Sequence, residues 1–157
     1  MTTSVPSADD EISIRPAERA DLLAVVRIEQ ASFSQPWPYD AFERFLDEPG
    51  FLVAVGPTGA VAGYVVANVI RQYGRNRGHV KDIAVLPDDR GNGVGSALLS
   101  RAVAVLVSHG ADSVKLEVRE SNDAAKRLYR QFGFEPLRRV PDYYGDEDAI
   151  VMVRKLE

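Results

Sequence analysis

The chain has no cysteine, and its 157 residues include only two histidines, His79 and His109, and one tryptophan, Trp37. Without thiols there can be no disulfide, no thiolate metal site and no cysteine nucleophile. Two histidines exclude a multi-histidine metal centre, so no required metal is expected. Long apolar runs are also missing. The candidates are short stretches such as Phe51-Leu-Val-Ala-Val55, far below the roughly 18 residues a spanning helix needs. The N-terminal stretch has no basic start and no apolar segment, and does not read as a signal peptide. Charge of one sign does not dominate either. Against 23 acidic residues stand 19 basic ones, a formal net charge of −4 that argues against a nucleic-acid footprint. The remainder, 45% hydrophobic and 27% charged, is ordinary for a globular protein. The expectation is a loose tail over 1–10 and a single domain over 11–157. It is a cytoplasmic monomer or weak dimer, with no membrane or nucleic-acid partner.

Periodicity predicts the order β-α-α-β-β-β-α-β-α-β-β. Residues 11–15 alternate as a short strand, and Pro16 opens a helical stretch striped by Leu22, Leu23, Val25, Val26 and Ile28. A second helix follows Pro38, and Pro49-Gly50 stops it. Residues 51–55 and 60–67 flank Gly56-Pro-Thr-Gly59 as a hairpin. Strands follow at 79–86, 113–119, 134–140 and 148–154, with helices at 94–108 and 122–132. The crossover from 79–86 through a helix to 113–119 demands a parallel pair, whereas the other neighbours can pair as antiparallel meanders. An α/β fold results: a mixed, mostly antiparallel sheet with a central parallel pair, flanked by helices.

Between strand and helix lies Asp88-Asp-Arg-Gly-Asn-Gly-Val-Gly-Ser96. Glycines 91, 93 and 95 let the backbone turn tightly and expose N–H groups, and the following helix adds its own unpaired N–H groups and dipole. Arg90 brings a fixed positive charge. Together these suit a pyrophosphate. A plain exposed turn remains open, but a Walker A loop fails for want of Gly-Lys-Ser/Thr. The dinucleotide fingerprint fits poorly, with Ser96 in place of its third glycine and the turn far from an N-terminal βαβ unit.

Downstream, Val114, Leu116 and Val118 alternate with Lys115, Glu117 and Arg119, one face core and the other charged. Glu117 is then either a surface residue between basic neighbours or a base beside the cradle. Asn122 can cap the next helix, and Tyr129 shares a face with Ala125, Leu128 and Phe132, as a core tyrosine would.

The pattern Arg90-x-x-Gly93-x-Gly95 after Asp82-Ile-Ala-Val-Leu-Pro87 resembles the coenzyme A loop and fourth strand of the GNAT superfamily of N-acetyltransferases. Residues 116–134, Leu-Glu-Val-Arg-Glu-Ser-Asn through Leu-Tyr-Arg-Gln-Phe-Gly-Phe, resemble the corresponding stretch of protein N-terminal acetyltransferases. The segments Ser34-Gln-Pro-Trp-Pro38 and Pro141-Asp-Tyr-Tyr-Gly-Asp-Glu-Asp-Ala-Ile-Val-Met152 resemble their substrate-side loop and their ending. The resemblance runs from about 12 to 156, with four motifs in order, and is to the RimI type (ribosomal-protein-alanine N-acetyltransferase) or its archaeal relatives.

That resemblance implies direct acetyl transfer from acetyl-CoA to a protein's N-terminal α-amine, with a ribosomal protein as one candidate substrate. It implies a pantetheine-pairing strand at Ile83, Ala84 and Val85, with a backbone N–H near Val85 facing the thioester oxygen. It also implies cofactor contacts at Arg90, Gly91, Asn92, Gly93, Val94, Gly95, Ser96 and Asn122. Glu117 takes the role of base through water, and Tyr129 that of acid to the departing thiolate. Trp37, Tyr143 and Tyr144 line the peptide groove. His79, whose archaeal counterparts sit in Gly-His-Val, is a substrate-side residue that could assist Glu117, share a stray metal with it, or simply be partly buried. Where some archaeal relatives carry a second glutamate base, this chain has Gln35, which puts dual-base catalysis in doubt. The acidic residues Asp142, Asp146, Glu147 and Asp148 form either a solvated loop or an attractor for an ammonium terminus. At pH 7 about 14% of an α-amine is neutral against roughly 0.04% of a lysine, so one carboxylate acting through water is enough help for an N-terminus. Acetylation of a small amine or lysine, and noncatalytic acyl-CoA binding, stand as the rival readings.

Overall fold

The computed structural model describes residues 12–91 and 93–156. The tail over 1–10 and the cradle residue Asn92 lie outside the described residues. Seven strands form one mixed sheet in the order β1-β2-β3-β4-β5-β7-β6. They are β1 (Ser13–Pro16), β2 (Leu52–Val55), β3 (Val61–Gln72), β4 (Arg75–Val85), β5 (Ser113–Arg119), β6 (Glu135–Val140) and β7 (Ala149–Lys155). The helices are α1 (Leu22–Ser32), α2 (Tyr39–Glu43), α3 (Val94–Ser108) and α4 (Asp123–Gln131). The predicted order holds, and so does the parallel pair: β4 and β5 run parallel over Arg77–Val80 and Ser113–Leu116. Beside it, β5–β7 and β6–β7 are antiparallel.

Two expectations at element boundaries are corrected. Pro16 closes β1 opposite Leu52 and does not open a helix. A strand at the sheet's edge tolerates a residue that cannot donate. The helix starts later, after a 3-10 turn at Arg19–Asp21 in which Asp21 caps the Glu18 N–H at 2.8 Å and is clamped by both terminal nitrogens of Arg15. The hairpin between β3 and β4 is also longer than its apolar pattern. Tyr73 and Gly74 both have positive φ (54° and 73°), the backbone of a primed two-residue turn, so 68–72 and 75–78 extend the two strands.

Contacts divide the chain into two compact units, the first running to Val66 and resuming over Asp82–Ala102, the second covering Ala67–Lys81 and resuming at Val103. In the first, α1 and α2 bury Leu22, Val25, Ile28 and Phe42 against Phe51, Val53, Tyr64 and Val66. Phe42 is fully buried, edge-on to Tyr64 at 5.5 Å and 5.3 Å from the Trp37 ring. Gly63 lies on β3 where a Cβ would meet the Ala84 carbonyl at 2.9 Å, so only glycine lets β3 come this close to the end of β4. In the second unit, Val114, Leu116 and Val118 form the buried face of β5, as their alternation predicts. There Gly78 admits Leu106 of α3 and Val114.

Candidate active site

In the second unit, the charged face of β5 and the start of β4 bring together two of the predicted residues. Glu117 and His79 lie on neighbouring parallel strands and on the same face, and the Glu117 Oε2–His79 Nε2 distance is 2.8 Å. Both side chains are about nine-tenths buried, at 10% and 13% exposure. Two residues not singled out from the sequence join them. Lys115 Nζ is 3.7 Å from Glu117 Oε1, and Lys81 Nζ is 3.5 Å from His79 Nδ1. An ammonium can only donate, so the Lys81 contact makes Nδ1 an acceptor and leaves Nε2–H to donate to Glu117. Burial alone would raise the Glu117 pKa. The hydrogen bond and electrostatic attraction of His79, then the charges of Lys115 and Lys81, outweigh it and hold the carboxyl below its ordinary range. Glu117 is therefore an ionised, partly desolvated acceptor at neutral pH.

The aromatic residues of this unit have distinct places. Tyr129 is 7% exposed, its ring edge-on to Phe134 at 6.1 Å. Tyr143 and Tyr144 pack edge to face at 4.9 Å, Tyr143 exposed and Tyr144 beneath the Arg119 guanidinium at 4.3 Å. Burial, then the charge of Glu117, raises the pKa of Tyr143. The acidic loop is built into the protein. Asp146 and Glu147 both pair with Arg119, Glu147 also accepts the Ser121 N–H, and Asp148 accepts the Asp142 N–H. Three of the four carboxylates that could attract an ammonium are thus engaged in shaping the loop. Asn122 is exposed and caps α4, its Oδ1 accepting the Ala125 N–H at 3.1 Å.

In the first unit, Gly91 and Gly93 make the predicted tight turn, whereas Gly95, expected to belong to it, lies in the helix that follows. Gly91 and Gly93 adopt φ of 84° and 82°, and nothing lies within 4 Å of where a Cβ of Gly91 would be. The turn opens directly into α3 at Val94, whose side chain is buried, so Val94 can offer a ligand only its backbone. Gly95 and Ser96 form the helix's first turn, partly exposed. Arg90 stays exposed but folds back on the chain: Nε donates to the Val85 carbonyl at 3.0 Å and a terminal nitrogen to Ser32 Oγ at 3.2 Å. Its guanidinium pins the turn to the end of β4. Ala84 is buried, Ile83 and Val85 partly so, and all three lie beyond the end of the parallel ladder. Open space at Gly91, ahead of a helix N-terminus, fits a pyrophosphate.

The same unit buries a carboxylate cluster unforeseen in the sequence. Glu29 of α1 accepts the Tyr64 hydroxyl and the Trp37 N–H, and Asp82 of β4 lies 3.3 Å from the same hydroxyl. Burial first, then the hydrogen bond and charge of Glu29, push Asp82 well above the ordinary range, so it holds a proton. The available signal was a glutamate four residues after Val25, on the helix's apolar face. A raised folded pKa means stability is full below the unfolded value, near 3.9, and is lost as pH rises through the folded one. Asp82→Asn, neutral at every pH, is expected to raise Tm at pH 8, with the gap closing towards pH 4. A gain of about 1 kcal/mol corresponds to roughly 2–4 °C in a chain of this size. Thermal unfolding that shows a lower Tm at pH 8, or a gap independent of pH, contradicts the buried proton.

Among the described residues no helix is long and apolar enough to cross a membrane, and no three His, Asp or Glu side chains gather as a metal site. Comparison with known proteins gives a concordant picture. The Acetyltransferase (GNAT) family matches residues 22–134. An N-alpha-acetyltransferase of Sulfurisphaera tokodaii is 33% identical, covering 93% of this chain and 94% of its own. The [ribosomal protein bS18]-alanine N-acetyltransferase of Escherichia coli is 33% identical over 89% and 95% of the two chains. The crystal structure of Ard1 from Thermoplasma volcanium superposes with a TM-score of 0.86 at 31% identity, covering 94% of this chain and 99% of that one. With the sheet order, the glycine turn and the family match in agreement, this chain belongs to the GNAT acetyltransferase family.

Proposed function

We propose that this protein transfers acetyl from acetyl-CoA to the N-terminal α-amine of a protein, by direct attack in a ternary complex. The observation that carries the reading is the ionised Glu117 carboxylate bonded to His79 on the parallel strand pair. A depressed carboxylate is a weak base, matched to an α-amine already partly neutral and poorly matched to a lysine. The S. tokodaii and E. coli relatives carry names of the same activity, and both align along nearly the whole chain.

Acetyl-CoA supplies the acetyl group, activated as a thioester. The N–H groups of Gly91, Asn92, Gly93, Val94, Gly95 and Ser96 hold its pyrophosphate, Ile83–Val85 pair with its pantetheine arm, and Asn122 contacts it. Arg90 contributes by fixing the turn to Val85. Glu117 accepts the α-ammonium proton through water, and His79 orients that carboxylate. A backbone N–H near Val85 donates to the thioester oxygen as negative charge develops there. As the carbon–nitrogen bond forms and the carbon–sulfur bond breaks, the Tyr129 hydroxyl gives its proton to the departing sulfur, and the proton shed by the acylated nitrogen passes through water to restore the phenol. Trp37, Tyr143 and Tyr144 wall the peptide groove. The substrate terminus is that of a cytoplasmic protein, a ribosomal protein first among candidates, and the enzyme acts as a monomer or weak dimer.

A peptide panel differing in first residue, with lysine-only peptides and polyamines as controls, tests this by mass spectrometry. Acetylation at the α-amine is expected. Exclusive lysine or polyamine products would replace the reading with a side-chain acetyltransferase. Tight CoA binding without turnover on any amine would make the protein a binding module.

A further inference from the structure

Glu29 takes no part in the reaction described above, yet it is only 2% exposed. A carboxylate placed so deep persists only if its oxygens are satisfied. One accepts the Tyr64 hydroxyl, and the other accepts the Trp37 backbone N–H at 2.8 Å. A hydroxyl has one proton. With that proton given to Glu29, the 3.3 Å contact to Asp82 Oδ2 is a hydrogen bond only if Asp82 donates. The chain of donors runs from Asp82 through Tyr64 to Glu29, and the Trp37 N–H meets Glu29 from the other side.

The sequence around Trp37 makes this anchor singular. In Pro36-Trp37-Pro38 the two prolines have no N–H, so Trp37 offers the tripeptide's one backbone donor, and Glu29 takes it. The indole in turn stacks on Phe45 at 5.8 Å and leans on Phe42. We propose that Glu29 is a positioning residue for substrate selection: by holding the Trp37 main chain it sets the wall against which the first substrate residue packs. This rests on the reading of Trp37 as a groove residue. It predicts an effect on the peptide and its first-residue ranking, with the chemical step and acetyl-CoA untouched.

The test is steady-state kinetics with the peptide panel, joined to fluorescence of Trp37, the chain's single tryptophan. Glu29→Met keeps the volume and removes the acceptor. It is expected to raise peptide KM about tenfold, the equivalent of one hydrogen bond to a charged group. It is also expected to shift Trp37 emission to the red and reorder the first-residue preference, with kcat and acetyl-CoA KM within about threefold of wild type. Glu29→Gln should recover peptide KM to within about threefold, because its carbonyl still accepts the Trp37 N–H while its amide donates to Tyr64, whose proton turns to Asp82. Unchanged emission and unchanged peptide KM in Glu29→Met overturn the anchor. A red shift with unchanged peptide KM leaves Trp37 anchored by Glu29 but overturns the role in selection, and Trp37→Ala then shows the same lack of effect, removing the groove reading itself. Should Glu29→Met fail to unfold cooperatively, Tyr64→Phe takes its place. It loses one partner of Glu29 and is expected to shift emission and peptide KM in the same direction, and wild-type values there overturn the proposal.

Discussion

Glu117→Gln is expected to lower kcat/KM for an N-terminal peptide by about 10²–10³ at pH 6.5, with the deficit shrinking towards pH 9. At the lower pH most of the amine arrives protonated, and a carboxylate is needed to take its proton; at the higher pH it arrives neutral. The glutamine still accepts from His79, so the 2.8 Å contact and acetyl-CoA binding are preserved while basicity is lost. The sign of the Glu117 shift locates the acid limb. Its carboxyl is held below the ordinary range, so it stays ionised across the whole assay range. The fall in rate between about pH 8 and pH 6 then belongs to the amine. The stability that Glu117 contributes in pairing is present at neutral pH and lost only as pH falls through its depressed pKa. Pre-steady-state acetylation across pH 6–9 checks this. A wild-type rate at pH 6.5 removes Glu117 as base, and a deficit equal at both ends of the range assigns it to positioning alone.

Tyr129→Phe is expected to lower kcat by about tenfold to a hundredfold, with acetyl-CoA and peptide KM nearly unmoved. The effect falls at the low end of acid catalysis because a thiolate leaves more readily than an alkoxide or amide. The ring remains edge-on to Phe134, so the unfolding transition should stay within about 1 kcal/mol of wild type. A thioester with a more acidic leaving thiol should recover most of the rate, since its sulfur needs no proton. Loss confined to KM, or no recovery with the better leaving group, contradicts an acid role for Tyr129.

Much of the site was legible because its signals are local. Left-handed glycines at 91 and 93 and the start of α3 follow from glycine's freedom and helix-end chemistry over a few residues. The period-2 pattern of β5 placed Glu117 on the charged face, and the helical crossover required β4 and β5 to be parallel. What was not legible depends on partners far apart in the chain. Lys115 read only as part of a charged face, and Lys81 was not singled out, until the register set His79 opposite Lys115. The acidic loop read as a possible lure for an ammonium until Arg119 was found holding Asp146 and Glu147.

The absences noted first retain their meaning. With no thiol in the chain, no cysteine can carry the acetyl group. The sequence alone determined the element order, the parallel pair, the anion cradle and the type of groups available, because each is set by neighbours within a turn or by alternation along a strand. The tertiary structure decided how those groups are charged and coupled. Glu117 is held low because β4 brings His79 beside it on a strand carrying Lys115, and Asp82 is pushed high because it is buried with Glu29 beside it. Ionisation of a buried group is fixed by what lies within a few ångströms in space, and spacing along the chain carries no record of that.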